Sequence, residues 1–170
     1  MKIIYLAAHI ASQPNWDVTY QDITNKRDIG GDMMDVDLTP YDVIIATPPC
    51  NYWSRANYRR ETSEYAQATK YLLPAILLRL QNQDKPYIVE NVRNSNLFKQ
   101  YGLYNGKSYV YEHGRHTYWT NIPFNPNNIQ QTFDFKTGGI RLKSNTQGGD
   151  NVHIVIEYWL EVVKAYEKDN

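Results

Sequence analysis

A single cysteine, Cys50, stands among the 170 residues. One thiol excludes an internal disulfide and a cysteine-rich zinc site, and it fits a reducing, cytoplasmic setting. Charge of neither sign is in excess, since 18 lysines and arginines meet 18 aspartates and glutamates. A global basic field is therefore excluded, and any contact with nucleic acid has to come from local patches. No hydrophobic run reaches membrane-spanning length, and the opening Lys2-Ile3-Ile4-Tyr5-Leu6 is too short for a signal-peptide core. His9, His113, His116 and His153 lack metal-ligand spacing, so no metal is expected. Glycine is missing from the stretch Leu6-Ala7-Ala8-His9-Ile10-Ala11-Ser12, where a first strand turns. A close approach of backbone to ligand there has to rely on small side chains instead.

What is present reads as one α/β domain over residues 1–170. Residues 1–8 and 41–47 are apolar runs suited to buried strands, and 16–20 alternates as a further strand. Residues 25–40, with Gly30-Gly31 and several acids, read as loop with at most a short helical turn. Helical spacing over 62–83 puts Tyr65, Ala68, Leu72, Ala75, Ile76 and Leu80 on one side, with Thr62 or Ser63 as cap. Pro74 predicts a kink or break near Leu73. Tyr87-Ile88-Val89 is the next buried strand, and a strand–helix–strand of this length predicts parallel neighbours. Both strands then end at one sheet edge, Cys50 after the first and Glu90 after the second. After Ser95 the chain is tyrosine-rich and less regular, with strand-forming ends in 110–119 around Gly114. Residues 125–149 read as a polar insertion, and Val155, Tyr158, Trp159, Val162 and Val163 form the apolar stripe of a closing helix.

A free cysteine is most often a small buried hydrophobe. Beside a carboxylic acid, however, a thiolate is a carbon nucleophile whose partner can protonate a ring nitrogen. The motif Pro48-Pro49-Cys50-Asn51-Tyr52-Trp53-Ser54, followed by Ile88-Val89-Glu90-Asn91-Val92, resembles the two catalytic motifs of the cytosine-C5 DNA methyltransferases, in their order and with the helix between them. Small, phage-type members are the nearest in kind. That resemblance implies a reduced Rossmann-like S-adenosylmethionine-dependent fold with a mostly parallel sheet. It further implies that Cys50 attacks C6 of a flipped cytosine, Glu90 serves N3 and Asn91 positions the pair. Gly114-Arg115-His116-Thr117-Tyr118-Trp119-Thr120-Asn121 is similar to a late motif in which a basic residue meets the cytosine O2, a part open to Arg115 or His116.

The same resemblance implies that S-adenosylmethionine lies against Ala7, Ala8 and His9, with Pro48 at the neighbouring strand end. Asp22 would take its ribose hydroxyls and Asp32 its adenine, and Asn151 or Asp150 would touch it from the start of the last helix. The loop 51–60 interleaves Arg55, Arg59 and Arg60 with Tyr52, Trp53 and Tyr58, which together with Ser54 suits phosphate contacts and stacking. Residues 125–149 leave little protein to read base edges, so specificity is expected to be low, short, or supplied by a protein partner. The implied setting is the cytoplasm of a bacterial cell, and the implied purpose is protection from restriction. Two alternatives stand beside it. One is a methyltransferase-like binding protein that has lost its cofactor; the other is a cytosine-modifying enzyme with a different donor, or acting on RNA or a free nucleotide.

Overall fold

Short apolar segments build one six-stranded sheet in the computed structural model, which describes residues 1–8, 16–127 and 149–169, from the backbone alone at 149–151. Strands β1 (Ile3–Leu6) and β3 (Val43–Ala46) are buried at every position, as runs without alternation must be when both faces are covered. With β2 (Val18–Tyr20), β4 (Tyr87–Val92), β5 (Tyr109–His113) and β6 (His116–Thr120), the order is β2-β1-β3-β4-β6-β5. Strands β2, β1, β3 and β4 pair in parallel, and β6 runs antiparallel to both of its neighbours. The architecture is thus α/β with a mixed, mostly parallel sheet, compatible with a Rossmann-like arrangement.

The chain leaves β1 for β2 on one side and returns to β3 on the other. That reversal makes the carboxyl ends of β1 and β3 the switch point of the sheet, the place where open α/β folds bind ligands. One face of the sheet, carrying Ile4, Leu6, Ile44, Ala46, Val89 and Trp119, packs with Leu73, Ile76, Leu77 and Leu80. Strand alternation leaves Tyr5, Ile45, Ile88 and Glu90 on the opposite face.

The expected long helix is two helices, α1 (Glu64–Thr69) and α2 (Leu72–Gln81). The break falls at 70–71, just ahead of the expected position near Leu73. A proline ring clashes with the carbonyl four residues upstream, here that of Lys70, so the chain bends at 70–71 and Pro74 falls within the first turn of α2. Spacing carried across the break therefore misplaces α1, where Ala66 is buried while Tyr65 and Ala68 are exposed. Ser63 is the cap, accepting from the Ala66 amide at 3.2 Å. A further helix, α3 (Ser95–Gln100), follows β4 where the sequence reads as irregular, anchored by the buried Phe98.

The loop between β2 and β3 has only a 3-10 turn, Met33–Asp35, and is fastened by cations instead. Arg79 donates to the carbonyls of Met34 and Val36 at 3.1 and 2.6 Å. Lys85 Nζ donates to those of Leu38, Thr39 and Tyr41 at 2.8, 3.0 and 2.6 Å. Three acceptors use all three ammonium protons, so this lysine is structural.

The chain divides into two compact units, Met1–Asn121 and Ile122–Asn170. The first holds the whole sheet. In the second, helix α4 (Gly149–Lys168) buries Val155, Trp159 and Val163, and Phe124 packs on Tyr158 with ring centroids 6.3 Å apart. Of the expected insertion, residues 128–148 lie outside the described residues. No helix among the described residues is long and apolar enough to cross a membrane.

Candidate functional site

Pro48 and Pro49 lack the amide protons that would continue β3, so pairing stops and the chain turns out of the sheet edge. The turn is closed by the Ser54 amide donating to the Cys50 carbonyl at 2.8 Å, which leaves Cys50 itself exposed. Side chains from the end of β4 hold this turn on either side of the thiol. Asn91 Nδ2 donates to the Pro48 carbonyl at 3.0 Å, and Asn94 Nδ2 donates to the Trp53 carbonyl at 2.7 Å. Both asparagines are buried, so each bond is made away from competing water. Beyond Cys50, Asn57 Nδ2 donates to the Asn51 carbonyl at 2.6 Å and Arg60 Nη2 to the Ser54 carbonyl at 2.9 Å. An open cleft of about 780 Å³ results, lined by Cys50, Ser54, Asn57, Arg59, Thr62 and Ser63.

One expectation for this loop is corrected. Tyr52 and Trp53 are not a stacking platform, because they are buried in a cluster of aromatic rings with Phe98 and Tyr101. Only Tyr58 of the three aromatics is presented outward, at 96% exposure. Arg60 is half-buried and donates through Nε and Nη2 to carbonyls of the loop itself, while Arg55 and Arg59 are exposed beside the cleft.

Glu90 lies one step past the Ala46–Val89 pair of the parallel ladder, level with Thr47. Cys50 and Glu90 thus stand at one carboxyl edge. The Glu90 carboxylate is buried and shares its Oε1 with Nδ1 of the buried His116 at 2.6 Å. His116 reaches it because β6 pairs with β4 in a register that opposes Tyr118 to Glu90 and His116 to Val92, which makes His116 the diagonal neighbour of Glu90 on one face. Arg115, the other candidate, stands exposed in the two-residue turn before β6, where its carbonyl accepts from the Arg93 amide at 2.7 Å.

Although Cys50 is exposed as a residue, the protein packed around its thiol removes part of the solvation of a thiolate and pushes the thiol up, and the negative charge of Glu90 pushes it further. A raised thiol offers less thiolate at neutral pH, and the fraction grows as pH rises through the shifted value. Removing the charge lowers the thiol. Alkylation of Cys50 by iodoacetamide should therefore be faster in Glu90→Gln than in the parent at neutral pH, the two converging in alkali. Equal rates at neutral pH would show that Glu90 does not act on the thiol.

At the switch point, Thr47 closes the gap between the strand ends. Its amide donates to the Leu6 carbonyl at 3.1 Å and its hydroxyl to the Ala7 carbonyl at 2.8 Å. Ala7 has φ of 50°, the left-handed conformation that usually calls for glycine. A glycine-like turn is thus made without glycine. Its amides are already in use: Gln21 Oε1 accepts from Ala7 N and the Gln21 carbonyl from Ala8 N, each at 2.8 Å. Gln21 was not among the residues singled out from sequence, nor were Thr47, Asn94 and Arg27, whose Nη2 donates to the Ala8 carbonyl at 3.3 Å. An L-residue in this conformation is strained by ~1–2 kcal/mol. Ala7→Gly should consequently leave stability unchanged or raise it by up to about 1 kcal/mol in urea unfolding, against the loss of roughly 0.5–1 kcal/mol usual for that substitution. An ordinary loss would show that the left-handed turn is not formed.

The remaining cofactor residues are scattered in role. Asp22 is half-buried at the end of β2 and accepts from the Thr24 hydroxyl at 2.8 Å. Asp32 caps the 3-10 turn, accepting from the Met34 amide at 2.9 Å, which is a local structural use. Pro48 is buried. His9 and the side chains of Asp150 and Asn151 lie outside the described residues. Among the described residues no cluster of histidine, cysteine and acids could hold a metal ion.

No protein-family model matches this chain. No curated protein matches it either.

Proposed function

We propose that the protein is a DNA cytosine-C5 methyltransferase of minimal size, using S-adenosylmethionine. The observation that carries this reading is the placement of Cys50 and Glu90 at one edge of parallel neighbours, with the carboxylate's charge acting on the thiol. The resemblance of their flanking residues to the two catalytic motifs supplies the reaction. In it the Cys50 thiolate adds to C6 of cytosine while Glu90, carrying a proton taken from solvent, gives it to N3, and C5 becomes an enamine-like carbon able to accept a methyl group. Solvent then takes the C5 proton, its C–H pair forms the C5–C6 double bond as the S–C6 pair returns to sulfur, and N3 gives its proton back to Glu90. Asn91 and Asn94 hold the nucleophile's turn so that Cys50 meets the base at a set distance. The target has to leave the helical stack to enter a cleft of this kind, at a cost of a few kcal/mol. Arg55, Arg59 and Tyr58, exposed beside the cleft, suit phosphate contact and stacking on the flanking strand.

The small side chains of Ala7 and Ala8, the left-handed Ala7 and the acid Asp22 at the neighbouring strand end fit a nucleoside-bearing methyl donor at the switch point. When bound there, S-adenosylmethionine would supply an electrophilic methyl group. DNA from cells expressing the protein should contain 5-methylcytosine by mass spectrometry, and DNA from cells expressing an inactive variant should not. Absence of the modified base from both would sink the reading.

One observation favours a second reading, a methyltransferase-like binding protein without cofactor. The amides of Ala7 and Ala8, the donors such a turn would offer a ligand, are taken by Gln21. Calorimetry decides between them: heat on titrating S-adenosylmethionine or its demethylated product supports the enzyme, and none at high concentration supports the binding protein. Trapping on oligonucleotides containing 5-fluorocytosine, compared with the free nucleotide and with RNA, separates a DNA substrate from the other pyrimidine carriers.

A further inference from the structure

The loop that begins at Cys50 is fastened along its length. The Asn57 amide donates to the Ser54 carbonyl at 3.1 Å, and Asn57 Oδ1 accepts from the Arg59 amide at 3.1 Å. The Arg59 carbonyl accepts from the Ser63 amide at 2.8 Å, and the Arg60 carbonyl from Gln67 Nε2 of α1 at 2.9 Å. The Tyr52 hydroxyl donates to Glu61 Oε1 at 3.2 Å while its ring lies in the aromatic cluster. Together with the bonds that Asn57, Arg60 and Asn94 make to loop carbonyls, these turn the loop into a fixed wall of the cleft. Taking a base from a duplex breaks its pairing as well as its stacking, and proteins that open a duplex push side chains between its bases. Moving this wall into a duplex would break the bonds that also place Cys50. A base in a single strand has no pair to lose.

The charge of the cleft points the same way. Arg59 is the one charged residue that lines it, and Arg55 and Tyr58 stand exposed on the same loop. The lining residues Thr62 and Ser63 are neutral, and the acids that flank them in sequence, Glu61 and Glu64, are exposed. A duplex brings two phosphate backbones, whereas these two arginines and the tyrosine all come from one short loop. Cations interleaved with an aromatic ring suit one strand, through phosphate contact and base stacking. The balanced total charge adds no general field to hold a duplex. We propose that the cleft beside Cys50 binds single-stranded DNA, and that the substrate is cytosine in an unpaired strand. Arg55 and Arg59 meet its phosphates and Tyr58 stacks on a base beside the target. The inference rests on the methyltransferase reading for the reaction and adds the strandedness of the substrate.

The test uses the full chain and a short oligonucleotide with one cytosine, offered as a single strand, as a perfect duplex, and as a duplex with the cytosine in an unpaired bubble. Fluorescence anisotropy reads binding, and mass spectrometry reads 5-methylcytosine formed with S-adenosylmethionine. The single strand and the bubble should bind at least about 10-fold more tightly than the perfect duplex, and kcat/KM should favour them by at least that factor. For two phosphate contacts on a single strand, log K against log salt should fall with a slope of about −1.4, and Arg59→Met should reduce it to about −0.7. A merely structural loss would lower affinity by the same factor at every salt concentration. Arg55→Met repeats the slope measurement should Arg59→Met fail to fold. A perfect duplex bound and methylated as well as the single strand would overturn the proposal, as would a slope unchanged in the arginine variants. Faster methylation of the same sequence as RNA would overturn the choice of DNA. Single-strand preference without 5-methylcytosine on any of the three would support the binding site and sink the methyltransferase reading, so the two failures are told apart.

Discussion

Cys50→Ala is expected to remove methyl transfer, by more than about 10³-fold or roughly 4 kcal/mol of barrier. Without sulfur no bond forms at C6, so C5 never becomes nucleophilic, and neither Glu90 nor the asparagine-held turn can substitute for that electron pair. Cys50 is exposed, and the contacts that fix its turn are made by main-chain carbonyls and by Asn91 and Asn94, so the variant should keep its fold. Its unfolding free energy should lie within about 0.5 kcal/mol of the parent's. Incorporation of labelled methyl groups into cytosine-containing DNA measures the loss, and covalent trapping on 5-fluorocytosine oligonucleotides reports the missing adduct directly. Two results would sink the covalent mechanism: methylation that survives in the variant, or trapping that persists without the thiol. Cys50→Ser sharpens the comparison, since an alkoxide is far harder to form than a thiolate and the activity should stay lost.

The sheet edge behind this prediction was legible in sequence because it depends on local signals. Uninterrupted apolar runs marked Ile3–Leu6 and Val43–Ala46, Pro48-Pro49 marked where the second must stop, and an intervening helix required parallel neighbours. What could not be read was set by contacts between distant segments. Pro74 bends the chain through the carbonyl of Lys70, so the helical stripe from Tyr65 onward pointed the wrong way. Tyr52 and Trp53 looked like a platform for bases because nothing nearby in sequence announces α3, a six-residue helix whose Phe98 and following Tyr101 close over them. The pairing of His116 with Glu90 follows from β6 entering antiparallel beside β4, and from a register that no local pattern specifies. The switch-point turn has no glycine, and Ala7 takes the left-handed conformation in its place, a backbone choice that residue type alone does not announce.

Trp53→Ala should cost about 3–5 kcal/mol of stability, the range for truncating a buried aromatic. That is a large fraction of the roughly 5–15 kcal/mol that holds a domain together. Trp53 is fully buried, with its ring centroid 5.1 Å from Tyr52, 5.2 Å from Tyr101 and 5.7 Å from Phe98, and Phe98 in turn lies 5.0 Å from Trp119. Its loss therefore opens a cavity beneath the turn that carries Cys50 and beside the core that α2 and the sheet share. Trp53→Phe should cost less, because much of the ring contact survives and the indole Nε1, buried with no partner among the described residues, is removed as well. Urea unfolding measures both, and the midpoint of thermal unfolding should fall by roughly 6–20 °C for the alanine variant. Tyr58→Ala is the control, because its ring is 96% exposed. Stability there should change by less than about 0.5 kcal/mol, while affinity for DNA should drop by roughly 1–3 kcal/mol if the ring stacks on a base. A Trp53→Ala protein that unfolds like the parent but releases DNA would reverse the assignment and return Trp53 to the binding face.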